Sequence, residues 1–186
     1  MKIYFIGGAS GSGKTAIMEN LQIRVGPQIS VYDFDDIGVP EDADARWRQS
    51  ATEQWLKKLI SENKNACLLG QIVLGEILSC PSAQAIEKIS YCLLDVSDYE
   101  RIQRLRKRNT YGVDQHMLNW SSWLRMHLFD PQWAQNVIKD NAWEDLDFTK
   151  VEALNAWEPL AHTKILDTTG LDINQVANEV SLWVQS

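Results

Sequence analysis

Residues Gly8-Ala9-Ser10-Gly11-Ser12-Gly13-Lys14-Thr15 follow the spacing G-x-x-x-x-G-K-[ST]. That spacing describes a chemistry. Glycines permit a tight turn whose successive backbone N–H groups converge on a polyphosphate. A lysine at the position of Lys14 reaches the β and γ phosphates, and a hydroxyl at Thr15 takes a place on Mg²⁺. The candidate phosphate-holding residues are therefore Gly8, Gly11, Ser12, Gly13, Lys14 and Thr15. A glycine-rich turn that merely precedes a helix would share these letters, but the flanks fit the phosphate reading. Lys2-Ile3-Tyr4-Phe5-Ile6 is a short apolar run suited to a buried parallel strand. Ile17, Leu21 and Val25 recur at four-residue intervals, which predicts a helix from about Lys14 with its positive end toward the phosphates.

Two carboxylates follow, Asp33 and Asp35, in Tyr32-Asp33-Phe34-Asp35-Asp36-Ile37. At i and i+2 they share one face of a strand. Phosphoryl transfer to an alcohol needs one carboxylate near Mg²⁺ and another that orients or deprotonates the hydroxyl. A D-x-D pair at a strand end supplies both, although a polar strand end running into an acidic loop looks the same in sequence. Further along, Arg101, Arg104 and Arg108 fall on one helical face. With Arg106 and Lys107 they hold five of the chain's eighteen positive charges within eight residues of an acidic protein. A solvated basic face is one reading. An anion site is the other, since guanidinium groups stack on a purine and stabilise a transferring phosphoryl group.

The elements that must position these residues alternate. Strands are expected at Ile29–Phe34, Ala66–Gly70, Ile89–Asp95 and Thr163–Leu166. Helices are expected from about Glu41 to Asn63, over Gln71–Lys88 with a break near Pro81, from Ser97 through a capping box with Glu100, and over a closing stripe of Ile173, Val176, Ala177, Val180 and Val184. Such alternation implies α/β architecture, a parallel sheet with helices on both faces and ligands beyond the carboxyl ends of the strands. The phosphate loop, Asp33/Asp35, Gly70/Gln71 and Asp95 all fall at such ends.

Taken together, the G-x-x-x-x-G-K-T loop, the D-x-D about twenty residues later and the late Arg104-Leu105-x-x-Arg108 resemble the nucleoside-monophosphate-kinase-like P-loop kinases, in particular their small-molecule branch of shikimate and gluconate kinases. The resemblance implies a five-stranded parallel sheet in the order 2-3-1-4-5 and a helical lid over ATP, about 105–118, within a single domain of 1–186. It implies Asp33 near the Mg²⁺ water shell, Asp35 as the candidate base, Arg104 by the adenine, Arg108 by the phosphates, and Thr168 and Thr169 in the loop bordering the adenine. Asp95 occupies the position of a Walker B aspartate but ranks below Asp33. The residues after strand three, Leu69-Gly70-Gln71-Ile72, depart from the Gly-Gly-Gly of shikimate kinases and the Asp-Gly-x-Pro-Arg of adenylate kinases, so neither shikimate nor AMP is the expected acceptor. Arg46 and Arg48 are candidate anchors for an anionic acceptor, or members of a solvated helix face.

The chain has 186 residues, a net charge of −7 and 45% hydrophobic residues. The acidity argues against general nucleic-acid or anionic-membrane binding. No apolar stretch approaches the ~20 residues of a membrane span. The N-terminus enters a strand without the regions of a signal peptide, and a cytoplasmic protein is expected. Cys67, Cys80 and Cys92 match no zinc spacing and read as reduced core thiols. A helical, Trp-rich stretch spans about 114–160, and His127 within it reads first as a core or boundary histidine. The expected activity is transfer of the γ-phosphoryl of Mg·ATP to a small metabolite. The alternative is a nucleotide-binding switch acting on a protein. An Asn-Lys-x-Asp guanine reader is absent, since Asn63-Lys64-Asn65-Ala66 lacks the aspartate.

Overall fold

The computed structural model describes residues 1–86, 88–108, 113–152 and 163–186. Its centre is a parallel sheet of β1 (Ile3–Gly7), β2 (Ile29–Asp33), β3 (Asn65–Leu69), β4 (Ile89–Asp95) and β5 (Thr163–Asp167) in the order 2-3-1-4-5. The helices are α1 (Lys14–Val25), α2 (Ala45–Glu62), α3 (Leu74–Ser79), α4 (Asp98–Lys107), α5 (Gln115–Phe129), α6 (Asn136–Lys139), α7 (Thr149–Glu152) and α8 (Ile173–Gln185). The expected lid has its tip, 109–112, outside the described residues, as is the end of the Trp-rich stretch, 153–160. No helix among the described residues is long and apolar enough to cross a membrane.

The two faces of the sheet follow from strand alternation. Ile3 and Phe5 point to one side, where Leu68, Tyr91 and Leu93 meet Trp55 and Leu56 of α2. Tyr4 and Ile6 point to the other, where Cys67, Cys92 and Leu94 meet Ile17 and Leu21 of α1 and Val180 of α8. All three cysteines are buried and unpaired, and burial pushes the thiols of Cys67 and Cys92 up to about 12. Because every strand runs the same way, the ends of β1, β2, β3 and β4 open on one edge.

One expected boundary changes in a way that matters. β2 stops at Asp33, and Phe34–Ile37 forms a 3₁₀ turn, so Asp35 is not on the strand. The pairing of Asp33 with Asp35 comes from capping: Asp33 Oδ1 accepts the Asp35 amide at 3.0 Å. Phe34 fixes this turn. It is 1% exposed, lies edge-on to Trp47, and its carbonyl accepts the buried Trp55 indole N–H at 2.9 Å. Across from it lies Gly70, where a Cβ would stand 2.2 Å from the Phe34 Cβ.

Elsewhere, helix α2 starts at Ala45, later than Glu41, because Asp44 caps it by accepting the Trp47 amide. The helix expected over Gln71–Lys88 is the short α3 followed by a 3₁₀ turn from Pro81. The capping box at Ser97 is half formed. The Ser97 Oγ accepts the Glu100 amide at 3.4 Å, while the Glu100 carboxylate turns away to Arg104 and the Gly170 amide.

Because the Phe34 Cβ is tied to backbone and has no rotamer to escape into, Gly70→Ala is expected to lower stability by about 1–3 kcal/mol. The measurement is the urea midpoint at unchanged m-value; an unmoved midpoint would mean that the turn is not pinned at Gly70.

Candidate active site

The loop between β1 and α1 is built on left-handed glycines, Gly11 at φ +81° and Gly13 at φ +99°. Gly13 caps α1 without a side chain, and the first turn of the helix carries no acidic residue. The leading N–H groups of a twelve-residue helix therefore have neither a side-chain cap nor an internal counter-charge. Lys14 is half-buried, and its ammonium turns back to donate to the carbonyls of Gly8 (2.7 Å) and Ala9 (3.2 Å). Burial, aided by the Arg101 charge, brings its pKa down to about 8.

A cleft of about 280 Å³ lies in front of this loop. Gly11, Gly13, Lys14 and Thr15 line it from the loop, and Asp33, Asp35, Gly70 and Gln71 from the ends of β2 and β3, with Leu105 and Arg108 also in its wall. The two acids and the lysine thus share one cavity. Burial, and after it the Asp33 carboxylate, raises the Asp35 pKa above its ordinary value. Thr15 and Asp33 offer two oxygens to a divalent ion, and no cluster of three or more His, Cys, Asp or Glu side chains suited to a metal occurs among the described residues. This donor set fits Mg²⁺, which keeps water and phosphate oxygens and takes only one or two from protein.

A second cavity, about 510 Å³, lies on the far side of the loop. Ala16, Ile17 and Val176 give it apolar walls, and Arg104 and Arg108 reach it from α4. Arg104 donates to the carbonyls of Gly11 (3.3 Å) and Thr168 (2.8 Å) and pairs with Glu100. Thr168 and Thr169 do not line it. The Thr168 hydroxyl is buried against the Asp95 carbonyl at 2.8 Å, and the Thr169 hydroxyl accepts the Ser97 amide and donates to Asp167. The wall comes instead from Leu171, Asp172, Ile173 and Asn174 after the Gly170 turn. Of these, the sequence marks only Ile173, as the start of the closing helix stripe. Ser12, wholly buried within the loop, borders this second cavity, and Gly8 contributes its carbonyl to Lys14.

Four further arginines have other duties. Arg101 is 0% exposed and donates to the Ser10 carbonyl and Asp95 Oδ1, both at 2.7 Å. It braces the loop from beneath. Asp95 also receives Arg125 at 3.0 Å, so this carboxylate is held by two guanidinium groups. Arg48 makes a two-pronged pair with the buried Glu76 (2.6 and 3.0 Å) and lies over the Trp120 ring, while Arg46 pairs with Glu144. Neither lines the cleft. His127 is a core residue: its Nε2 accepts the Gly75 amide at 3.0 Å, its ring stacks on Trp123, and burial lowers its pKa to about 4.

No family model matches the sequence, and no curated protein matches it significantly. Solved structures do match. They include a sugar kinase from Janibacter sp. HTCC2649 (14% identity, TM-score 0.58, 100% of this chain and 95% of the other). Others are a gluconokinase from Sinorhizobium meliloti 1021 (16%, 0.51, 99% and 91%) and a shikimate kinase from Acinetobacter baumannii in complex with shikimate (15%, 0.52, 99% and 92%).

Two measurements check the site. Asp95→Asn breaks a pairing that leaves Arg101 buried, and is expected to cost about 3–5 kcal/mol in urea unfolding; a loss below 1 kcal/mol would mean that the pairing is not structural. With Lys14 at about 8 in the ligand-free protein, an incoming polyphosphate favours the charged amine, so nucleotide binding takes up a proton as pH rises through 8, and affinity falls there. Calorimetry in buffers of different ionisation enthalpy should find uptake growing from pH 7 to pH 9 and missing in Lys14→Arg; uptake independent of pH would contradict it. With strand order, loop, helix and cleft all in place, the chain has the fold of the nucleoside-monophosphate-kinase-like P-loop kinases.

Proposed function

We propose that the protein is an ATP-dependent small-molecule kinase that transfers the γ-phosphoryl of Mg·ATP to a hydroxyl or phosphate of a metabolite. The observation that carries this reading is the facing of Asp33 and Asp35 onto the same cleft as Lys14 and the open end of α1. A nucleotide-only site would need the second cavity and the loop, but not a pair of acids across from them. The solved neighbours, named as sugar kinase, gluconokinase and shikimate kinase, support a phosphotransferase of small molecules.

In this reading the loop amides from Gly11 to Thr15 hold the β and γ phosphates, and Lys14 leaves the Gly8 and Ala9 carbonyls to meet them. The base and ribose occupy the larger cavity beside Arg104. Thr15 and Asp33 would hold Mg²⁺, which would supply neutralisation of the triphosphate's charge. Asp35 accepts the acceptor's hydroxyl proton while that oxygen bonds to the γ phosphorus. The bond from the γ phosphorus to the bridging oxygen breaks, and ADP departs. The raised pKa of Asp35 suits this step, since a more basic carboxylate holds the proton better. Lys14 and Arg108 stabilise charge on the moving phosphoryl group. Like other kinases of this chemistry, the protein is then chiefly a positioning device.

The test is ADP formation with and without a panel of metabolites. Wild type should show acceptor-stimulated turnover, and Asp35→Asn should lower kcat by about 10²–10⁴-fold while the Kd for Mg·ATP stays within threefold. Hydrolysis indifferent to any metabolite but stimulated by a protein partner would favour a nucleotide-dependent switch.

A further inference from the structure

The charge of the acceptor can be read from the cleft, given the kinase reading above. Beyond the phosphate loop, its wall consists of Asp33, Asp35, Gly70 and Gln71, with Leu105 and Arg108 from the end of α4. Two carboxylates and one amide face the space where an acceptor must sit. Among the described residues, Lys14 and Arg108 are the cations lining the cleft; Lys14 belongs to the phosphate loop, and Arg108 also lines the second cavity beside Gly11, Gly13 and Arg104.

The cations expected to hold an anionic acceptor are engaged elsewhere. Arg46 is paired with Glu144 at the surface. Arg48 is forked onto Glu76, and Glu76 is wholly buried with Gln49 as its other partner. Moving Arg48 to a ligand would strand that carboxylate in the core. Arg101 and Arg125 share Asp95. The positions outside the described residues, 87, 109–112 and 153–162, contain no lysine or arginine, so they add no permanent cation. With Lys14, Arg108 and the metal answering the triphosphate, a carboxylate or phosphate ester on the acceptor would meet Asp33 and Asp35 without a counter-charge.

We infer that the acceptor is a hydroxyl compound without negative charge, a sugar, polyol, nucleoside or amino alcohol, bound by hydrogen bonds to Asp35 and Gln71. A neutral hydroxyl donates to a carboxylate, an ammonium is attracted by the pair, and the Gln71 amide both donates and accepts. Gln71 is exposed and follows β3, so it sets this charge preference without carrying the fold.

The experiment measures ADP formation by the full chain with Mg·ATP across matched probes: sorbitol and glucosamine against gluconate, uridine against uridine 5′-monophosphate, and ethanolamine and glycerol against glycolate and glycerol 3-phosphate. Stimulation should come from uncharged or cationic members, with kcat/KM at least tenfold above the acidic partner. In Gln71→Arg, which places a cation in the wall, that ratio should fall at least tenfold. Acidic members that match or exceed their partners in wild type would overturn the assignment of charge. Stimulation by no compound of any class, with Mg·ATP still binding, would instead overturn the kinase reading on which it rests.

Discussion

The positive end of α1 and the acidic turn after β2 confront one another across a gap that neither closes. The helix begins on a bare glycine with no acid in its first turn, and Lys14 bonds carbonyls of its own loop. On the other wall, burial and, after it, the neighbouring Asp33 carboxylate raise the pKa of Asp35. A group that bridges the two walls must carry negative oxygens toward the loop and bring a cation toward the acids. A triphosphate with its divalent ion has that distribution of charge. The rest of the molecule keeps the two walls in register.

That register is mechanical. On the acidic side, Phe34 is locked between Trp47 and Gly70, and its carbonyl is held by Trp55. On the basic side, Arg101 grips the Ser10 carbonyl while Asp95, at the end of β4, grips Arg101. Asp95 in turn ties in Arg125 of α5. This carboxylate serves as the junction of β4, α4 and α5. Buried ionic junctions of this kind are stabilising only while complete, which makes this one a point of fragility beneath the loop.

Much of this was legible because it depends on local chemistry. The loop spacing carries its own geometry in glycines, and the apolar alternation of Ile3–Ile6 carries the two faces of the sheet. The strand order followed from the resemblance and stands in the structure. The one-face spacing of Arg101, Arg104 and Arg108 was visible too, and all three approach the loop. What sequence could not show was pairing across long separations. Arg48 reads as either a ligand anchor or a solvated side chain because Glu76, twenty-eight residues away, has no mark as its partner. Asp35 read as a strand residue because a 3₁₀ turn capped by Asp33 has the same letters as a strand end. Thr168 and Thr169 carried the resemblance to an adenine loop, yet their hydroxyls are used by the backbone around Asp95 and Ser97. Trp55 proves to be a structural donor in the core, and Trp133 stands half exposed.

The most direct measurement is a crystal structure with Mg²⁺ and a non-hydrolysable ATP analogue. The account predicts the β and γ phosphates on the amides of Gly11 to Thr15, Lys14 turned from Gly8 toward them, the metal between Thr15 and Asp33, and the base beside Arg104. Phosphates seated elsewhere, or Asp33 and Asp35 turned to bulk solvent with the nucleotide in place, would contradict it.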